Sequence, residues 1–172
     1  AISEAAAGGG KGVTSMKKGI DLVKTWKKAG TFLPVQASSA TVANGQTPIT
    51  LDWDYLQDKY AKSTAKVQWK KVIPTDALIG GFYQQAISKT APNPACARLW
   101  MEYLYSDQAQ NLWLAGGARP IRLEAMQKKG TVNKKYFAAL PKLPAGAQVI
   151  YPTVPQQVKA REVLAKNWGK LN

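Results

Sequence analysis

Two hydrophobic rhythms alternate along this chain. From Ser15 to Ala29, Ile20, Val23 and Trp26 fall on one face at helical spacing, predicting a helix that Gly30 ends. Ser38 to Gly45 holds one helical turn and closes on the turn signal Asn44-Gly45. The rhythm then changes: Ile49, Leu51 and Trp53 alternate with polar neighbours, predicting a strand, and Asp54 starts a helix reaching Tyr60. Further strands are predicted over 66–73 and 78–88, the latter interrupted by Gly80-Gly81. The clearest passage follows. Asn93 caps a helix with Pro94 at its first position, where the missing N–H costs nothing. Ala97, Trp100, Met101 and Leu104 form its apolar stripe, and Ser106-Asp107 restart a second helix. On that second helix Leu112 and Trp113 continue the buried face and Gly116 closes the turn. A short helix near Leu123 to Lys128, a proline-rich extended passage from Pro141 to Pro155 and a last helix over Gln156 to Trp168 complete the pattern. Residues 1–11, with Gly8-Gly9-Gly10, read as a flexible entry. Helices alternating with strands predict an α/β class.

Composition narrows the function more than the fold. The 172 residues suffice for one large domain or two small lobes, and no apolar run is long enough to span a membrane. Lys and Arg number 24 against 10 Asp and Glu, a formal charge of +14, which attracts polyanions without sequence preference. The cations are scattered in pairs such as Lys27-Lys28, Lys70-Lys71 and Lys134-Lys135, and no helix-turn-helix cue or zinc-finger spacing accompanies them. A stand-alone basic domain holding nucleic acid is therefore the second reading, and no nucleic-acid partner is expected. Cys96 is the single cysteine, which excludes an intrachain disulfide, and it reads as a small packing residue beside the helical stripe. Histidine is absent, so no Ser or Cys nucleophile has an imidazole base and no His-based metal site exists. The expectation is a protein without catalysis, metal or cofactor.

Three constellations carry candidate binding chemistry. Leu51-Asp52-Trp53-Asp54-Tyr55 sits where a predicted strand gives way to a helix, the place where open α/β sheets bind ligands. Trp53 and Tyr55 offer stacking faces, and Asp52 and Asp54 offer acceptors; a core Trp53 and a merely capping Asp54 are the plainer alternative. Gly80-Gly81-Phe82-Tyr83 suggests a bulge or a close approach of backbone to something bound, with Phe82 and Tyr83 on opposite faces, one packed inward and the other facing a cleft; a structural kink without a ligand is the equal alternative. Gly116-Gly117-Ala118-Arg119-Pro120 offers free backbone N–H groups and, in Arg119, a planar fork for a carboxylate or phosphate; a surface C-cap with a solvated arginine is the equal alternative.

The order of these pieces resembles a known family. Ala40-Thr-Val-Ala-Asn-Gly-Gln-Thr-Pro-Ile-Thr-Leu-Asp-Trp-Asp-Tyr55, then Val72-Ile-Pro-Thr-Asp76, then Ala91-Pro-Asn-Pro-Ala-Cys-Ala-Arg-Leu-Trp100 and Tyr105-Ser-Asp-Gln-Ala-Gln110, are similar to segments of bacterial extracellular solute-binding proteins of ABC importers, of the spermidine/putrescine and ferric-iron type. The resemblance runs from about Gly19 to Trp168 and covers the later half of such proteins. It implies a type II periplasmic-binding architecture of three-layer α/β/α lobes closing on a solute. Residues 1–72 would belong to the second lobe, and residues 73–172 would return to the first. It also implies an exported periplasmic protein, a missing N-terminal half as companion, and a permease in the inner membrane as partner. The implied ligand-binding residues are Asp52, Trp53, Asp54, Tyr55, Gly81, Tyr83 and Arg119, taking a polyamine, a phosphonate or another small ion. The acid that accompanies the aromatic near Gly81 to Tyr83 in polyamine binders is absent here, as is the adjacent tyrosine pair of iron binders. Arg119 and Arg122 lean toward an anion.

Overall fold

Local capping chemistry sets the elements. A computed structural model describes residues 2–3, 15–64 and 66–171, so the predicted flexible entry lies, but for residues 2–3, outside the described residues. The helices are α1 (Met16–Lys28), α2 (Ser39–Ala43), α3 (Asp54–Ser63), α4 (Pro94–Leu104), α5 (Asp107–Ala115), α6 (Leu123–Lys129), α7 (Lys134–Ala138) and α8 (Val154–Asn167), the last running into a 3₁₀ turn at Trp168–Lys170. Side-chain oxygens open four of them. Ser38 and Thr153 form reciprocal capping boxes at α2 and α8, and Ser106 and Asn133 accept from the third backbone N–H of α5 and α7. Asn93 makes no such bond, and the entry to α4 rests on Pro94.

The α/β expectation is overturned. Half of the chain is helical, and among the described residues the extended backbone pairs once, as an isolated parallel bridge between Ile79 and Ile150. This is not a three-layer α/β/α periplasmic-binding fold. The period-two segment over 49–53 finds no partner, leaving Ile49 86 % and Leu51 69 % exposed. Its backbone turns instead to its own side chains: the Asp52 carboxylate accepts the Trp53 N–H at 2.8 Å and the Asp54 carboxylate accepts the Tyr55 N–H at 3.0 Å. The predicted strands over 66–73 and 78–88 likewise form no ladder beyond the bridge, because an apolar alternation stabilises a strand only when another strand supplies the hydrogen bonds.

The chain divides into two compact units. Unit 1 comprises Ala1–Pro48, Val72–Gly81 and Lys142–Asn172. There α1 packs against α8, Ile20, Val23 and Val42 are buried, and the Phe32 and Trp168 rings meet edge to face at 6.3 Å. Gly80 is needed here, since a Cβ would collide with the Tyr151 ring and lie 2.7 Å from Val149 Cγ1. The close backbone approach expected at this glycine is thus to the chain's own side chains.

Unit 2 comprises Ile49–Lys71 and Phe82–Pro141. Its buried apolar residues are Tyr60, Ala109, Leu114 and Met126. The expected stripes are corrected here: Trp100, Leu112 and Trp113 are more than half exposed, and on α5 the buried side chains are Ala109, Gln110 and Leu114. Polar groups claimed that face. Gln110 donates to the Leu104 carbonyl at 2.7 Å and accepts the Arg122 N–H, while Asn111 donates to the Thr131 carbonyl and accepts the Asn133 N–H at 2.8 Å. These bonds fix the two loops that flank α6.

Leu114 and Met126 are almost wholly buried, so Leu114→Ala or Met126→Ala is expected to lower the free energy of unfolding by about 2–5 kcal/mol. Leu112→Ala, on the exposed side of the same helix, should stay within about 0.5 kcal/mol. Urea unfolding of the three variants checks the contrast, and equal losses at 112 and 114 would refute this assignment of the buried face.

Candidate functional site

Helix α3 gathers the candidate residues of unit 2. It begins at Trp53, an extended N-cap residue, and its Asp54 lies in the first turn, where a carboxylate complements the helix dipole. Asp54 and Asp58 stand four apart, so they project on the same side of the helix. Each meets a cation from elsewhere in the unit: Arg119 pairs with Asp54, and Lys71 pairs with Asp58. The second guanidinium nitrogen of Arg119 donates to the Pro141 carbonyl at 2.6 Å. Asp52 is committed differently, accepting the Tyr60 hydroxyl at 3.0 Å on its second oxygen.

Two phenols complete the cluster. The Tyr55 and Tyr83 hydroxyls lie 3.4 Å apart across 28 residues of sequence. The hydrogen bond to Tyr83, then burial, then the neighbouring Asp52 and Asp54 charges push the Tyr55 phenol up to about 12, so it stays neutral through the physiological range. The Tyr60 phenol is also raised, by burial first and then by Asp52.

The glycine turn after α5 packs against this helix. Gly117 has φ +86, a left-handed conformation that L side chains rarely adopt, and a Cβ there would meet Asp58 Oδ2 at 2.9 Å and Tyr55 Cα at 3.6 Å. The free backbone donors expected in this turn are absent. The N–H groups of Gly116, Gly117 and Ala118 go to the carbonyls of Leu112, Leu114 and Trp113, closing the helix. Between α3 and this turn lies an open concavity of about 380 Å³, lined by Tyr55, Asp58, Lys59, Lys62, Ser63 and Gly116.

Of the residues singled out from sequence, Asp54, Tyr55, Tyr83 and Arg119 come together in this cluster. Asp52 joins it through its charge on Tyr55. Trp53 is 44 % exposed at the helix entrance, neither core nor in the concavity, and Gly81 belongs to unit 1. Phe82 and Tyr83 were expected on opposite faces with one packed inward, yet both are exposed, at 60 % and 85 %. Arg122 is occupied as well, donating to the Tyr105 carbonyl and lying 2.9 Å from the Asp107 carboxylate. Sequence reading passed over Asp58, Lys59, Lys62 and Lys71. The signal for two of them was present: Lys59 and Lys62 follow Tyr55 at spacings of four and three along a helix already expected to start at Asp54. No family model, curated protein or solved structure matches this chain.

Removing the Tyr83 hydroxyl by Tyr83→Phe removes the first cause of the Tyr55 shift, so that phenol should titrate closer to the ordinary tyrosine value. The sign of the linkage follows. A phenol raised in the folded state contributes stability that is fully present below pH about 10 and is lost as pH rises toward 12. Tyrosinate absorbance during alkaline titration should show two late-ionising phenols, Tyr55 and Tyr60, in the parent and one fewer in the variant; an unchanged titration curve would contradict the pairing.

Proposed function

We propose that this chain is a solute-binding element, part of the periplasmic substrate-binding component of an ABC importer that hands a small solute to an inner-membrane permease. The observation that carries the reading is the meeting of Asp54, Tyr55, Tyr83 and Arg119 beside an open concavity. Three motifs far apart in sequence supply those four residues, and each had been singled out for ligand contact. A volume near 380 Å³ lies within the range of small-molecule sites, which is roughly 300–1,000 Å³. The reading rests on the motifs and on this cluster, not on the fold of that family. A companion segment of the same protein is part of the proposal. Large apolar residues left exposed on α4 and α5, Leu99, Trp100, Leu112 and Trp113, support a further covering surface.

No catalytic step is proposed. The acids at the site are all engaged, and two hydrogen-bonded phenols near a salt bridge make a recognition surface rather than an acid–base pair. The basic character does not favour a polymer groove, because the charge is shared evenly: unit 1 and unit 2 each carry a net +7.

A thermal-shift screen of the full chain against polyamines, phosphonates, carboxylates, sugars, amino acids and metal salts tests the reading. One solute class should stabilise the protein, by about 2.7 kcal/mol at a hundred times its dissociation constant. Arg119→Ala, which releases Asp54 and the Pro141 carbonyl, should reduce that shift. Silence across every class, together with duplex DNA binding that weakens about a thousandfold or more between 50 and 200 mM salt, would replace this reading with the polymer one.

A further inference from the structure

The charge of the solute follows from which groups around the concavity are already committed. Asp52 accepts from the Tyr60 hydroxyl and the Trp53 N–H. Asp54 is paired with Arg119, and Asp58, in the wall itself, is paired with Lys71. Each acid of this stretch therefore has its partner, and a cationic solute arriving here would have to displace a tethered cation from Asp54 or Asp58, or the hydrogen-bond donors from Asp52. Lys59 and Lys62 differ. They stand three residues apart on one side of α3, both exposed and both lining the concavity, and among the described residues neither enters an ion pair. Tyr55 lines the same space, and its hydroxyl shares a hydrogen bond with Tyr83. The local balance is thus two uncompensated ammonium groups beside a neutral hydroxyl.

We infer that the solute of this site is a small oxyanion, bearing a phosphate, phosphonate or carboxylate group seated on Lys59 and Lys62 against the Tyr55 hydroxyl. This rests on the solute-binding reading and narrows it, since polyamines and metal cations find no uncommitted acid among Asp52, Asp54 and Asp58. It also moves the anion contact away from the arginines. Arg119 and Arg122 spend their guanidinium groups on Asp54, Asp107 and backbone carbonyls, holding the unit together. The ammonium groups donate freely rotating hydrogen bonds suited to a compact tetrahedral or planar anion.

Calorimetric titration of the full chain with inorganic phosphate, methylphosphonate, succinate and spermidine, in a phosphate-free buffer at moderate salt, tests the inference. At least one of the three anions should bind saturably, and the double variant Lys59→Gln/Lys62→Gln should bind it about tenfold more weakly or worse. Lys128→Gln/Lys129→Gln removes the same charge from the end of α6, outside the concavity, and should stay within about twofold of the parent. All four lysines are exposed, and circular dichroism will show that both variants keep the parent helix content. Equal weakening in the two variants would reduce the effect to bulk attraction and overturn the site. Unchanged anion binding in Lys59→Gln/Lys62→Gln would overturn it too. Spermidine binding without anion binding would sink the oxyanion inference and leave the solute-binding reading standing; no binding by any solute in the wider screen would sink both.

Discussion

Unit 2 is one compact body made from two separate stretches of chain, and the side chains of α3 join them. Arg119 reaches Asp54 and Tyr83 reaches Tyr55, each from the second stretch to the first. The Gly116-Gly117 turn lies against Tyr55 and Asp58, so close that a side chain at Gly117 would not fit. Even the ends of the stretches are drawn in: Lys71 is held by Asp58, and Pro141 is held by Arg119. Both ion pairs are part-exposed, so each contributes on the order of 1 kcal/mol or less. Their larger effect is on register. Burial of Leu114 and Met126, about 1.5–3 kcal/mol each, supplies the drive to collapse without saying which residue faces which. The charged pairs do say it, because a misplaced α3 would leave Asp54 and Asp58 without cations in a partly desolvated place.

Helix positions were legible in the sequence because their determinants are local. An N-cap oxygen and the N–H it satisfies lie within three residues, so Ser38 and Ser106 announce α2 and α5 in a single line of text, whereas Thr153 went unread and the last helix, expected from Gln156, starts at Val154. Asn133 carries the same signal for α7, which went unread beside the basic pair Lys134-Lys135. Strands were misread for the opposite reason. Alternation at Ile49, Leu51 and Trp53 is necessary for a half-buried strand, but the hydrogen bonds of a strand belong to a remote partner that the segment cannot specify. Here Asp52 and Asp54 satisfy the neighbouring N–H groups and turn the chain into α3. The buried face of α5 was misassigned by a third cause. Apolar residues were presumed to face inward, whereas Gln110 takes a buried place and Asn111 a half-buried one, where the loops at both ends of α6 have carbonyls and N–H groups paired by them.

The same division holds at the candidate site. Residue types were readable: aromatic and acidic groups at Asp52 to Tyr55, a phenol at Tyr83, a guanidinium at Arg119. What could not be read was their pairing with one another. A sequence presents Arg119 and Asp54 as two offers to a ligand, one for an anion and one for a cation. Folding spends each on the other, and the chemical meaning of both changes from contact to support.

The formal charge of +14 is what remains after every such pairing is counted, so it does not by itself decide what one site selects. Long-range attraction depends on the summed field, which is spread over two units of equal net charge and screened within about 8 Å at physiological ionic strength. Selection at a site depends on a local difference. Around Tyr55, Asp54 and Asp58 are neutralised by Arg119 and Lys71, and Asp52 has its oxygens occupied by the Tyr60 hydroxyl and the Trp53 N–H. The positive charge left over, on Lys59 and Lys62, therefore belongs to one concavity rather than to the surface at large. The sign of the site is set less by its own lysines, which are common along this chain, than by the cations and phenol that silence the acids beside them.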